Sequence, residues 1–197
     1  MGHGRYIAPP VAQYVLGAGE KLDLSFAVMP GESRDIDISV DLSGEGAEFS
    51  LRGYYISGAD EKVNIKVRVH HKAVGCRSSQ IVNGVAGGEA VVKFDGRIIV
   101  APGADGTDTS QTNRNIIVSD SARVETNPQL EIYADDVKCS HGATVGKLGE
   151  DEIFYMRSRG IPEREAKVLQ TLSFLSPALP AGAALDGVEE ALRQILV

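Results

Sequence analysis

Between about residue 20 and residue 140, apolar positions recur at every second residue. Leu22, Leu24 and Phe26 alternate with Asp23 and Ser25, and Ile36, Ile38, Val40 and Leu42 with Asp37, Ser39 and Asp41. Val63, Ile65, Val67 and Val69 alternate with Asn64, Lys66 and Arg68. A period of two puts one face of each strand on a core and the other in water. The same reading predicts strands at 48–56, 78–85, 90–94, 97–100, 115–118 and 130–133. Polar, Gly-rich turns separate them: PGES, SGEG, SGAD, AGGE and PGADGTD.

Many short strands at even spacing suit two architectures. One is an antiparallel sandwich, the other a parallel β-solenoid whose coils stack on one another. Hairpin signals are weak. Asn83-Gly84 lies inside its apolar run, and Asp95-Gly96 is the one candidate two-residue loop. The polar run 107–115 suits the stacked turns of a solenoid. Periodicity by itself leaves both architectures open.

Beyond residue 148 the pattern becomes helical. Gly149 precedes the acidic turn Glu150, Asp151 and Glu152, and Arg157 and Arg159 lie near the end of a helix predicted over 151–159. Gly160 fits a left-handed stop. Pro162, Glu163 and Glu165 open a second helix ending near Leu175, before Pro177 and Pro180. Asp186 is read as the cap of a last helix carrying Val188, Leu192 and Ile195. The predicted organisation is a β body over 1–148 and a small α-helical segment over 149–197. That segment is expected to be removable without unfolding the body. Its helices are read either as a docking surface or as a cover for an open end of the solenoid.

Composition narrows the function. Twenty Lys+Arg against 27 Asp+Glu give a net charge of −7, so a general nucleic-acid footprint is not expected. Nineteen of the 22 glycines fall in the first 150 residues, a density that helical domains avoid. Two cysteines, Cys76 and Cys139, are too few for a disulfide scaffold. The first ten residues show no secretory pattern, and no apolar run reaches membrane-spanning length. A cytoplasmic protein with no membrane partner is the expectation.

Candidate chemistry concentrates near the end of the β region. On a strand, Cys139 and His141 project from one face and Ser140 from the other. Thiolate and imidazole together suit a soft or borderline metal. Two ligands leave a site incomplete, so the rest would come from a partner or a bound cluster. The alternative is a small buried Cys139 beside a satisfied His141. Asp135 and Asp136 point to opposite faces and are read as turn residues. His70, His71 and Cys76 have a loose metal-like look, but adjacent strand residues diverge. No phosphate-binding glycine loop and no Gly-x-Ser-x-Gly elbow occurs.

The segments VHHKAVGCRSSQIVNGV, VKFDGRIIVAPGADGTDTSQTNRNIIVSDSAR and NPQLEIYADDVKCSHGATVGKLGEDEIFYMRSRGI carry a resemblance. Over 63–175 the chain resembles the SufB/SufD family of iron–sulfur cluster assembly proteins, and is nearer to its SufD side. DDVKCSHGAT and FYMRSRGI are the specific blocks, and QTNRN stands as a polar turn. The resemblance implies an all-β fold, a right-handed parallel β-helix with a C-terminal α-helical appendage. It implies pairing with a SufB-like chain or with a second copy, as heterodimer or homodimer. It further implies that the C-terminal helices dock a SufC-like ATPase of the ABC class, with Phe154, Tyr155, Arg157 and Arg159 as partner-binding residues. Cys139 and His141 match the family's Cys-x-His block, where a transient iron or iron–sulfur cluster would sit; no tightly bound cofactor is expected. The long N-terminal helical region of ordinary members and the cysteine-rich motif of many SufB proteins are absent, and Gly142 replaces a carboxylate. The expected role is a non-catalytic SufD-like subunit of a SUF-type assembly complex that needs partners. The alternatives are a cytoplasmic β-helix enzyme acting on a polysaccharide and a metal-free structural interaction module.

Overall fold

The computed structural model describes residues 4–7, 11–180 and 185–196. Eleven strands run in order: β1 (Gly4–Ile7), β2 (Val11–Leu16), β3 (Lys21–Val28), β4 (Arg34–Leu42), β5 (Glu48–Ser57), β6 (Lys62–His71), β7 (Arg77–Ala86), β8 (Val91–Val100), β9 (Asp108–Ile117), β10 (Arg123–Ile132) and β11 (Lys138–Gly146). Helices α1 (Glu150–Ser158), α2 (Glu163–Leu175) and α3 (Leu185–Ile195) follow, with a 3₁₀ turn at Ser176–Ala178. Odd strands form one sheet, β1-β3-β5-β7-β9-β11, and even strands the other, β10-β8-β6-β4-β2. Every pairing is parallel. The chain is a β-solenoid of about five turns, and the sandwich is excluded.

Several predicted boundaries change. The two strands read at 90–94 and 97–100 are one, β8, so Asp95-Gly96 is mid-strand and not a hairpin. The polar QTNRN segment is not a turn but part of β9. Its inward Gln111, Asn113 and Asn115 are as polar as its outward residues, which hides the period of two. β2 and β11 had no strand signal. In β2 exposed Val11 and Val15 blur the alternation, and β11 is largely exposed on both faces. Asp186 lies inside the first turn of α3 and is not its cap.

The coil corners explain much of the glycine. Gly19, Gly46, Gly75 and Gly106 all have φ between 66° and 72°. Each donates its N–H to a carbonyl of the next coil, at Glu45, Val74, Asp105 and Asp136, over 2.7–3.0 Å. A side chain at a corner such as Gly75 would be strained by that backbone conformation.

In-register stacking also decides who can neighbour whom inside. Phe26 lies over Gly53, and Tyr55 over Gly84, its register partner on β7. The Tyr55 hydroxyl then reaches two coils on and donates to Asn115 Oδ1 at 2.7 Å. Asn115 Nδ2 donates to Asn113 Oδ1 (2.8 Å), which also accepts from the Thr126 hydroxyl (2.8 Å).

The helices cover a face of the solenoid, not an end. Tyr54, Ile56 and Val85, on the outer face of the odd-strand sheet, pack against Val168, Leu175, Ala178, Val188, Ala191 and Leu192. Asn83 Nδ2 donates to the Phe174 carbonyl (2.9 Å), and Arg193 pairs bidentately with Glu165, one oxygen at 2.8 Å. Removing the helices would expose this second core, so their deletion carries a stability cost that a solvated appendage would not. The signal was in the sequence: YYI at 54–56, and Ile81-Val82 and Val85-Ala86 on either side of Asn83-Gly84, are apolar on both faces.

Two outcomes follow. Gly84→Ala puts a methyl inside the Tyr55 ring and should cost roughly 1–3 kcal/mol, read as a lower urea midpoint. His71 is fully buried, and burial, then the neighbouring His70, push its pKa down to about 4 from 6.5. The unfolded state therefore binds the extra proton first, and stability falls as pH drops from 6.5 towards 4, by about 3 kcal/mol in all. His71→Leu should flatten that slope in urea titrations; an unchanged slope would assign it elsewhere.

Candidate functional site

The inward face of the odd-strand sheet changes chemistry along the solenoid axis. One column reads Leu22, Phe49, Ser78, Thr109 and Cys139, and the next Leu24, Leu51, Gln80, Gln111 and His141. The first two coils are apolar. The third and fourth are polar, yet Ser78, Gln80, Thr109 and Gln111 are buried. An unpaired buried polar group costs about 1–3 kcal/mol, and these residues bond to one another in a chain whose last oxygen, Gln111 Oε1, is left unpartnered. His71 Nε2 lies 2.8 Å from Ser78 Oγ, and Ser78 Oγ 2.6 Å from Thr109 Oγ1. Gln80 Nε2 donates to Ser78 Oγ at 2.9 Å, and Gln111 Nε2 to Gln80 Oε1 at 3.4 Å.

Both columns end on β11, the last strand of its sheet. Cys139 and His141 stand one register step beyond Thr109 and Gln111, on the same face, as the alternation predicts. Cys139 is half-buried against Ile98, Val100, Ala104, Leu130, Ala134 and Val137. His141 is exposed. The last coil is open among the described residues, and Ile132, Tyr133 and Val145 on it are exposed apolar side chains. A core face left in water in this way is a candidate contact surface.

The pair does not form a closed metal centre. Among the described residues no group of three or more His, Cys, Asp or Glu side chains gathers. His70 and His71 diverge, the first half-exposed and the second buried on Ser78, and Cys76 is a buried core residue with Sγ 3.3 Å from the Gly44 carbonyl. Asp136 serves a turn through its carbonyl, which accepts from Gly106 N–H. Burial, helped by the Asp108 carboxylate, holds the Cys139 thiol above its ordinary pKa.

The four partner-binding candidates lie on or just after α1. That helix buries none of its residues and packs chiefly along α2. Phe154 is 72% and Tyr155 60% exposed. Arg159 stacks over the Tyr155 ring at 5.6 Å from its centroid, and Arg157 pairs with Glu163 at 3.2 Å. Beneath Phe154 a groove of about 560 Å³ runs between α1, α2 and the loop after β9. Among the described residues no helix is long and apolar enough to cross a membrane.

The Cys139 environment predicts a sluggish thiol. Iodoacetamide should alkylate it more slowly than a free cysteine at neutral pH, with the rate still climbing above pH 9. Asp108→Asn should speed the reaction at neutral pH; no change would remove Asp108 as a cause.

The chain matches known proteins over the region that builds this site. The family described as "SUF system FeS cluster assembly, SufBD core domain" matches residues 13–174. The iron–sulfur cluster assembly protein SufD of Escherichia coli (strain K12) is 38% identical over 136 residues, 69% of this chain and 32% of the relative. A SufBD family protein of Synechocystis is 44% identical over 101 residues, 51% of this chain and 21% of its own. SufD of Bacillus subtilis (strain 168) is 26% identical over 180 residues, 91% of this chain and 41% of its own. The chain thus spans well under half the length of these relatives. Its stacked parallel coils, its CSHGAT strand and the match across 13–174 place it in the SufBD core family of the SUF system of iron–sulfur cluster assembly.

Proposed function

We propose that the chain is a non-catalytic, SufD-like subunit of a SUF-type iron–sulfur cluster assembly complex. The observation that carries the reading is the open last coil, which presents Cys139 and His141 on its inner face beside exposed Ile132, Tyr133 and Val145. A SufB-like chain or a second copy closes this end. Closure desolvates the pair and adds the ligands that this chain lacks. Iron or a nascent cluster is the cargo, held by thiolate and imidazole. Two ligands from one chain hold it weakly, which suits a cargo that must leave. Cys139 gives up its proton when it ligates, so binding strengthens as pH rises.

The second surface is α1. An exposed aromatic pair with arginines beside it is the usual form of a binding anchor. We assign it to the ABC-type ATPase that the family's C-terminal helices dock, with Phe154, Tyr155, Arg157 and Arg159 in contact. The polysaccharide-enzyme reading has no support here. Three carboxylates on the outer face of the even-strand sheet are paired with cations, Asp37 with Arg68 at 2.7 Å, Asp41 with Lys72 at 2.6 Å and Glu125 with Lys93 at 3.1 Å, and Asp35 accepts from the Asn64 amide.

The Cys139→Ala/His141→Ala double variant should keep its melting temperature and its dimer, and lower cluster yield several-fold in anaerobic reconstitution with the partner chains. Equal yield would leave only a metal-free interaction module. Phe154→Ala/Tyr155→Ala should cut co-purification of the cognate ATPase about tenfold or more without changing the melt. Undiminished co-purification would move the docking site off α1.

A further inference from the structure

The buried amides beneath His141 have a direction. Gln80 spends its N–H on Ser78 Oγ, so its Oε1 faces the following coil. Gln111 must meet that oxygen with its own Nε2, and does so at 3.4 Å. In such an amide ladder each rung donates backward and offers its oxygen forward. Gln111 Oε1 is the last oxygen of the ladder. It is buried and accepts no hydrogen bond, while the residue as a whole is 1% exposed. The next rung in register is His141, on the same face, about 4.8 Å along the stack. A neutral imidazole carries one N–H donor and one lone pair. The amide also has a prepared seat: it lies flat on Gly96 of the opposite sheet, where an added Cβ would stand 2.6 Å from its Cδ.

We propose that Gln111 is the positioning residue of the junction. When the exposed His141 ring turns inward over the stack, Gln111 Oε1 accepts its ring N–H, selects one tautomer, and turns the other ring nitrogen's lone pair outward, towards the cargo. A ligating histidine ordinarily holds its second N–H on such an acceptor, and losing that acceptor ordinarily weakens metal binding 10–100-fold. The link to metal rests on the reading of Cys139 and His141 as ligands; the hydrogen bond does not. The rest of the ladder acquires a role. Ser78, anchored by His71 and Thr109, fixes Gln80, and Gln80 fixes the direction in which Gln111 presents its oxygen.

Long-range ¹H–¹⁵N spectra of the folded chain near pH 8, assigned with His141→Ala, test the bond directly. The expected result is a single His141 tautomer in the wild type and a mixture typical of free imidazole in Gln111→Met. A mixture in the wild type, or an unchanged tautomer in a folded Gln111→Met, overturns the proposal. Gly96→Ala, which pushes the amide aside from the opposite sheet, is the second variant, and the wild-type spectrum decides even if neither variant folds. Titration with Co²⁺ alone tests the role. Gln111→Met should raise the Co²⁺ dissociation constant about tenfold or more at unchanged melting temperature, and weaken the thiolate-to-cobalt absorption. An unchanged dissociation constant overturns the positioning role. Co²⁺ binding that survives Cys139→Ala/His141→Ala instead overturns the ligand reading of the pair, and the tautomer spectra still decide the Gln111–His141 bond.

Discussion

Parallel in-register stacking is the constraint from which the rest of this structure follows. Each side chain sits directly over its counterpart in the coil before, linked by bonds between residues 27 to 32 apart. Inward positions therefore form vertical columns, and each column must be compatible along its whole length. A large ring demands a glycine next to it, as with Phe26 on Gly53 and Tyr55 on Gly84. A buried hydroxyl or amide demands another, as with Ser78 and Thr109 or Gln80 and Gln111. Once polarity enters a column at the third coil it propagates, because an apolar neighbour would strand a donor or acceptor in the core. The odd-strand sheet carries that polarity while the facing Val92, Phe94, Ile98 and Val100 remain apolar.

A stack also has ends. The outer face of the odd-strand sheet is closed over its downstream half by α2 and α3, whose side chains fuse with Tyr54, Ile56 and Val85 into a second core. These helices act as a flank and leave the last coil uncovered. The columns that are buried at Thr109 and Gln111 consequently surface at Cys139 and His141. The two candidate contact surfaces are thus of different kinds. The open coil offers a core cross-section with strand edges, suited to another solenoid, whereas α1 offers two aromatic side chains on an otherwise solvated helix.

How much of this was legible follows from which face each residue feeds. β3, β4 and β6 read clearly, because one face is apolar and the other is charged or polar. β9 did not, because Thr109, Gln111, Asn113 and Asn115 are polar and buried, and a polar–polar alternation resembles a loop. The same-face relation of Cys139 and His141 needed only the strand period. The support beneath them could not be read from sequence, since it depends on a register that joins Gln111 to His141 across 30 positions. The helical segment was recognised by its caps, with Gly160 at φ 87° where the left-handed stop was expected. Its attachment to the outer face was not anticipated because 54–56, 81–82 and 85–86, apolar on both faces, were read only as strands.

The polar columns also bear on why a carrier subunit would hold ligands at a solenoid end and not in a loop. A loop ligand must be ordered on binding, and that ordering weakens the site. Cys139 and His141 are already ordered by strand pairing with β9, and the residues beneath them are fixed by a buried hydrogen-bonded network anchored two coils down at His71. The geometry of the half-site is then independent of the partner, while its completion is not. On the proposed reading this separates two requirements that conflict in a single-chain site. The ligands are positioned before the cargo arrives, yet no chain alone supplies enough of them to keep it. Control of release then passes to whatever opens the junction, which is where an ATPase docked on α1 would act.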